Sequence, residues 1–122
     1  MNESEESLFE AYERFEEYAR EGLEALPPDL RSQMSNVEIV VEAEPPGGQP
    51  LLGLYQGIPL TKRGASYGGV LPDKITIYRG PLVRLYGRNP ETLRSEVRRV
   101  VLHEIAHHFG ISDERLVELD AY

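Results

Sequence analysis

The stretch from Asn89 to Asp113 constrains this chain more than any other. Asn89-Pro90-Glu91 opens a helix. Asparagine can cap the free N–H groups, proline fits the first helical position where its missing N–H is not needed, and an acid follows in the first turn. Val97, Val100, Val101, Ile105, Ala106 and Phe109 then supply apolar surface, so a helix is predicted from Pro90 to about Phe109. Gly110 can end it in the left-handed conformation. A helix with this much apolar surface must be covered, so the remaining elements have to pack around it.

The last turns of that helix carry its chemistry. His103-Glu104-Ile105-Ala106-His107, followed by Gly110 and Asp113, reads H-E-x-x-H-x-x-G-x-x-D. Residues four apart lie on one helix face, so His103 and His107 can present imidazole nitrogens to one ion. Glu104 can reach a water on that ion. After the glycine bend the chain can bring Asp113 back as a third ligand. Two imidazoles, one carboxylate and an open position suit a catalytic zinc.

Each residue also has a plainer reading. His103 and His107 could be ordinary helix-surface histidines. Ser112 reads as an N-cap, with Asp113 and Glu114 as first-turn acids of a last helix; capping and ligation by this segment can coexist. His108 points about 100° away from His107 on a helix. Packing or support of the ligands suits it better than ligation, and it is the reserve ligand should Asp113 not serve.

Composition bounds the rest. The chain has 122 residues without an internal repeat, which suits one domain spanning residues 1–122. It contains no cysteine, so thiolate ligands are excluded and nitrogen and oxygen must hold any metal. The net charge of -8 disfavours nucleic acid as a partner. No apolar run is long enough for a membrane span. The acidic start, Asn2 to Glu6, lacks the basic-then-apolar plan of a signal peptide, which makes the cytoplasm the expected location.

Upstream, Leu8, Tyr12, Phe15, Ala19, Leu23 and Leu26 recur at helical spacing among glutamates and predict an amphipathic helix over 4–26, stopped by Pro27-Pro28. Val37 to Glu44 alternates as a half-buried strand, with Val37, Ile39, Val41 and Ala43 inward. Leu51 to Tyr55 and Lys74 to Arg79 read as two further strands, separated by a Gly-rich loop over 56–72. Pro81 to Tyr86 suits one or two helical turns, and Ser112 to Ala121 a short last helix. The order predicts an α+β fold: a small, roughly three-stranded sheet packed on the long motif helix, with helices at both ends.

The motif helix, the entry Leu71-Pro72-Asp73-Lys74-Ile75-Thr76-Ile77-Tyr78-Arg79-Gly80-Pro81 and the segment Leu52-Gly53-Leu54-Tyr55-Gln56-Gly57-Ile58-Pro59-Leu60 resemble the small bacterial zincin-like proteins, the minimal metallopeptidases. The resemblance covers roughly residues 36 to 120. It implies a minimal zincin-like domain, with zinc held by His103, His107 and Asp113, Glu104 as general base, and a peptide or protein segment as substrate. The zinc pattern is similar to that of metzincins, with aspartate in the place of their third histidine. Metzincins carry a methionine turn after the motif; here the methionines are Met1 and Met34, both upstream.

Two functions follow as expectations. The first is a zinc-dependent peptidase or amidase, in which Glu104 handles the proton of the attacking water and an oxyanion partner comes from His108, Tyr67, Tyr86 or Tyr122. The second is a non-catalytic, metal-binding interaction or sensing module with the same fold. The oligomeric state is not legible in the residues.

Overall fold

A computed structural model gives the fold of residues 3–64, 67 and 71–118. Helix α1, Glu3–Glu24, buries Ala11, Phe15, Tyr18 and Ala19. Tyr12, expected inward, is half exposed instead; its ring lies 5.0 Å from the Arg79 guanidinium, a cation–π contact that suits an amphipathic ring at the rim. Tyr18 takes the inward place. The prolines that stop α1 also start a helix the periodicity does not reveal, α2 at Pro28–Gln33, with proline at its N-terminus and Asp29 in its first turn.

Three strands form one mixed sheet in the order β1-β3-β2: β1 is Val37–Glu42, β2 Gly53–Gln56 and β3 Asp73–Tyr78. β1 pairs parallel with β3, placing Ile39 opposite Ile75, and β2 pairs antiparallel with it, placing Gly53 opposite Ile77. The central strand is covered on both faces, as Ile75, Thr76, Ile77 and Tyr78 are all buried. On edge strand β1, Val37, Ile39 and Val41 are partly buried as expected, whereas Ala43 lies beyond the strand and is exposed.

Helix α3, Arg79–Tyr86, starts directly after β3, two residues before the proline that marked it in the sequence. Helix α4, Pro90–His108, is the motif helix. The Asn89 side chain accepts from the N–H groups of Glu91 and Thr92, at 3.1 and 3.2 Å, so the predicted cap forms. α4 lies between the sheet and α1, and buries Leu93, Val97, Val100, Val101 and Ile105. Each such burial contributes roughly 1.5–3 kcal/mol. The last described helix, α5, is Asp113–Glu118; Ser112 Oγ caps it by accepting from the Arg115 N–H. The expected continuation to Ala121 lies outside the described residues beyond Glu118.

The architecture is α+β, with the sheet packed on the motif helix. No helix among the described residues is long and apolar enough to cross a membrane.

Candidate metal centre

The end of α4 sets the geometry. Gly110 N–H donates to the His107 carbonyl and Ile111 N–H to the Ala106 carbonyl, both at 2.9 Å, a Schellman closure. Gly110 has φ +90°, and a Cβ there would stand 2.2 Å from Thr61 Oγ1, so only glycine fits both the backbone and the neighbour. The closure reverses the chain and brings Asp113 back over the helix.

Asp113 Oδ1 thereby lies 3.1 Å from His103 Nε2 and 2.9 Å from His107 Nε2. The two imidazole rings stand edge to face, 4.8 Å apart at 88°. His107 Nδ1 is 2.8 Å from the Ile111 carbonyl, which only a protonated Nδ1 can satisfy. In a neutral ring the lone pair is then on Nε2, which faces Asp113 Oδ1 as His103 Nε2 does. The backbone of the turn thus supplies the bond that orients the His107 ring.

Glu104 belongs to the same cluster. Ligand atoms of His103, Glu104 and His107 all lie within 4.8 Å of one another. Two carboxylates therefore compete for the role of third ligand. Glu104 Oε2 stands 3.9 Å from His103 Nε2, while Asp113 touches both rings. Asp113 is also the exposed one, 59% against 10% for the Glu104 side chain. The geometry favours Asp113 beside the imidazoles and Glu104 beneath them.

The donor set fits a zinc ion. Tetrahedral bonds of about 2.0–2.2 Å hold ligand atoms roughly 3.3–3.6 Å apart. The Asp113 contacts are slightly shorter than that and need only a small opening. Burial lowers the proton affinity of His103, and His107 beside it adds to the effect against the pull of Asp113, so the ring is neutral and ligand-competent near pH 7. Burial raises the Glu104 carboxyl above the ordinary carboxylate range, with His107, Asp113 and the Tyr55 N–H as smaller influences. A carboxyl shifted upward in this way is a better proton acceptor.

β2 supplies that Tyr55 N–H, and Gly53 permits the approach. A Cβ on Gly53 would stand 2.7 Å from Val100 Cγ1 and 3.2 Å from Glu104 Cγ. The strand backbone packs here directly on side chains of the helix. They wall a cleft of about 620 Å3 that opens on His103, Glu104, His107 and Asp113. Leu51, Leu52, Leu54 and Ile111 form its apolar lining.

His108 turns away, as its helical angle requires. It is fully buried, accepts from the Ser35 N–H through Nε2 at 3.3 Å and faces Asp73 with Nδ1 at 3.2 Å. Asp73 also accepts from the Tyr55 hydroxyl, the Ile58 N–H and Arg63. This buried group ties β3, β2, the loop after it and α4 together behind the cleft. Of the expected oxyanion partners, neither His108, Tyr67 nor Tyr86 lines the cleft, and Tyr122 lies outside the described residues. The Tyr67 hydroxyl instead accepts from Asn36. Sequence reading missed Arg99 and Lys62, which do line the cleft. Arg99 could have been found, since it stands one turn before His103 on the same face. Lys62 could not, because its place depends on how the loop folds back.

The sequence profile of the zincin-like metallopeptidase family matches residues 34–122, and the chain belongs to that family. No curated protein matches the chain.

Proposed function

We propose that this protein is a zinc-dependent peptidase or amidase. His103, His107 and Asp113 hold the ion and Glu104 is the general base. The observation that carries this reading is the meeting of Asp113 Oδ1 with both Nε2 atoms, at 3.1 and 2.9 Å, above a buried carboxylate and at the floor of a cleft. Zinc, when bound, supplies a Lewis acid that polarises a carbonyl and acidifies water.

The chain's own residues do the rest. Glu104 takes the proton of the attacking water on its carboxylate and later returns it to the leaving amine. The Tyr55 N–H holds that carboxylate in place. The Ile111 carbonyl keeps the proton of His107 on Nδ1, so Nε2 stays available as a ligand. The apolar wall of Leu51, Leu52 and Leu54 receives substrate side chains and excludes water. Edge strand β2 runs along the cleft, and an extended peptide is the substrate shape that suits it.

The test is hydrolysis of a mixed peptide pool by the zinc-loaded protein, read by mass spectrometry. Glu104→Gln should keep its zinc and lose about 10²–10⁴-fold in kcat/KM, the usual contribution of a general base. A Glu104→Gln protein that binds zinc and cleaves at the wild-type rate rules the mechanism out.

A further inference from the structure

The charged side chains that line the cleft divide by role. Its two acids, Glu104 and Asp113, are both in the metal centre. The charges left over are positive, Arg99 and Lys62, on a chain whose net charge is -8. Arg99 lies one turn before His103 on α4. Its Nε is 2.9 Å from Glu96 Oε2, an arrangement that leaves both terminal guanidinium nitrogens to meet a carboxylate. Lys62 is exposed and makes no ion pair among the described residues.

The segment carrying Lys62 is held firmly. Pro59 to Lys62 forms one helical turn closed by Lys62 N–H to the Pro59 carbonyl at 2.8 Å. Thr61 sits against Gly110, at the far end of α4 from Arg99. Arg63 fastens the next residue to the Ile58 carbonyl, the Ser35 carbonyl and Asp73. The two cations thus flank the histidines, Arg99 on the helix and Lys62 by the bend beyond its end at His108, a helical span of about 13 Å at 1.5 Å per residue. An extended peptide covers that span in about four residues.

We infer that the cleft selects peptides with a carboxylate within two or three residues of the scissile bond, received by Arg99 on one side of the metal centre and by Lys62 on the other. The leucine-rich wall between them favours apolar residues at the intervening positions. The carboxylate is an Asp or Glu side chain or a free chain end; the chemistry of recognition is the same. The inference rests on the peptidase reading for its position in the cleft, but its charge preference is readable without turnover.

The experiment uses zinc-loaded Glu104→Gln protein and four fluorescein-labelled peptides sharing one apolar sequence: acidic inside with blocked ends, neutral with blocked ends, neutral with a free C-terminal carboxylate, and lysine-containing with blocked ends. Binding is read by anisotropy at low salt. A partly exposed charge pair contributes up to about 1 kcal/mol, or about fivefold. The acidic or free-carboxylate peptide should bind about five- to twentyfold tighter than the neutral one, and the lysine peptide weakest. Which of the first two gains more assigns the carboxylate to a side chain or to the chain end. Added Lys62→Glu or Arg99→Glu should each remove about fivefold, and both together should reverse the order. Lys62→Gln and Arg99→Gln serve as milder variants, with zinc content and circular dichroism showing that each is loaded and folded. Equal binding of all four peptides overturns the inference. So does a preference that survives the double variant, or no binding of any peptide at millimolar concentration. Cleavage of the same peptides by wild type separates the two claims. Turnover without charge preference removes the inference and leaves the peptidase. Charge-selective binding without turnover by wild type removes the peptidase and leaves acidic-peptide recognition.

Discussion

Two aspartates do different work on either side of α4. Asp113 is exposed and reaches the imidazoles from solvent. Asp113→Ala should weaken zinc binding by more than the 10–100-fold typical of losing a group that only supports a ligand. Competition with a chelating dye measures it; unchanged affinity removes Asp113 from the ligand set. Asp73 is buried and paired with partly buried Arg63 at 2.8 Å. Burial alone would raise its carboxyl, but the bonds from Tyr55, Ile58, Arg63 and His108 together outweigh burial and hold it below the ordinary aspartate value. A carboxyl lowered by folding stabilises the protein above its unfolded pKa, and that stability is lost as pH falls through the folded pKa. Acid below about pH 4 should therefore destabilise the wild type through this group. Asp73→Asn should remove that part of the acid response. It should also cost about 1–3 kcal/mol at neutral pH by removing the carboxylate that partly buried Arg63 pairs with. Urea titration at several pH values checks both. Of these two residues only Asp113 was legible in the chain, because motif spacing marks it. Asp73 opens an apolar strand and offers no local sign of its partners, which arrive from 10 to 35 positions away.

At the scale of elements, α4 was nearly complete in the sequence, from the Asn89 cap to the Gly110 stop, because caps and apolar period are local signals. β3 was readable to within one residue at each end, but its central place in the sheet was not. Nor was the loop after β2, since its turn and its bonds to Asp73 depend on contacts made only once the sheet has formed. β2 itself was placed two residues early, because Leu51 and Leu52 look like strand but precede the paired segment. What matters in β2 is Gly53, whose lack of a side chain brings the strand onto Glu104. Gly53→Ala should destabilise the fold by about 1–3 kcal/mol through overpacking on Val100. It should also lower kcat more than it lowers zinc content, because the Tyr55 N–H moves off Glu104. Gly110→Ala should do the reverse. It strains a positive φ and crowds Thr61, displacing Asp113, so zinc affinity should fall first. Parallel calorimetry and metal analysis of the two variants distinguish them.

Over the whole molecule, core and site are separable. The buried cluster of Phe15, Ile75, Ile77, Leu93, Val97 and Val101 joins α1, the sheet and α4 through apolar side chains. Stripping metal with a chelator should therefore leave a folded chain with its circular dichroism intact. Zinc at one hundred times its Kd should add about 2.7 kcal/mol to stability, seen as a raised Tm. An unfolded metal-free chain would instead assign the ion a structural role, the alternative that the sequence leaves open. The most direct test of the centre is zinc per chain by elemental analysis, after dialysis against a limiting zinc buffer, for wild type, His103→Ala, His107→Ala and Asp113→Ala. One zinc per wild-type chain, lost in each variant, is the expected result. A wild type without zinc, or an Asp113→Ala chain that retains a full equivalent, contradicts it.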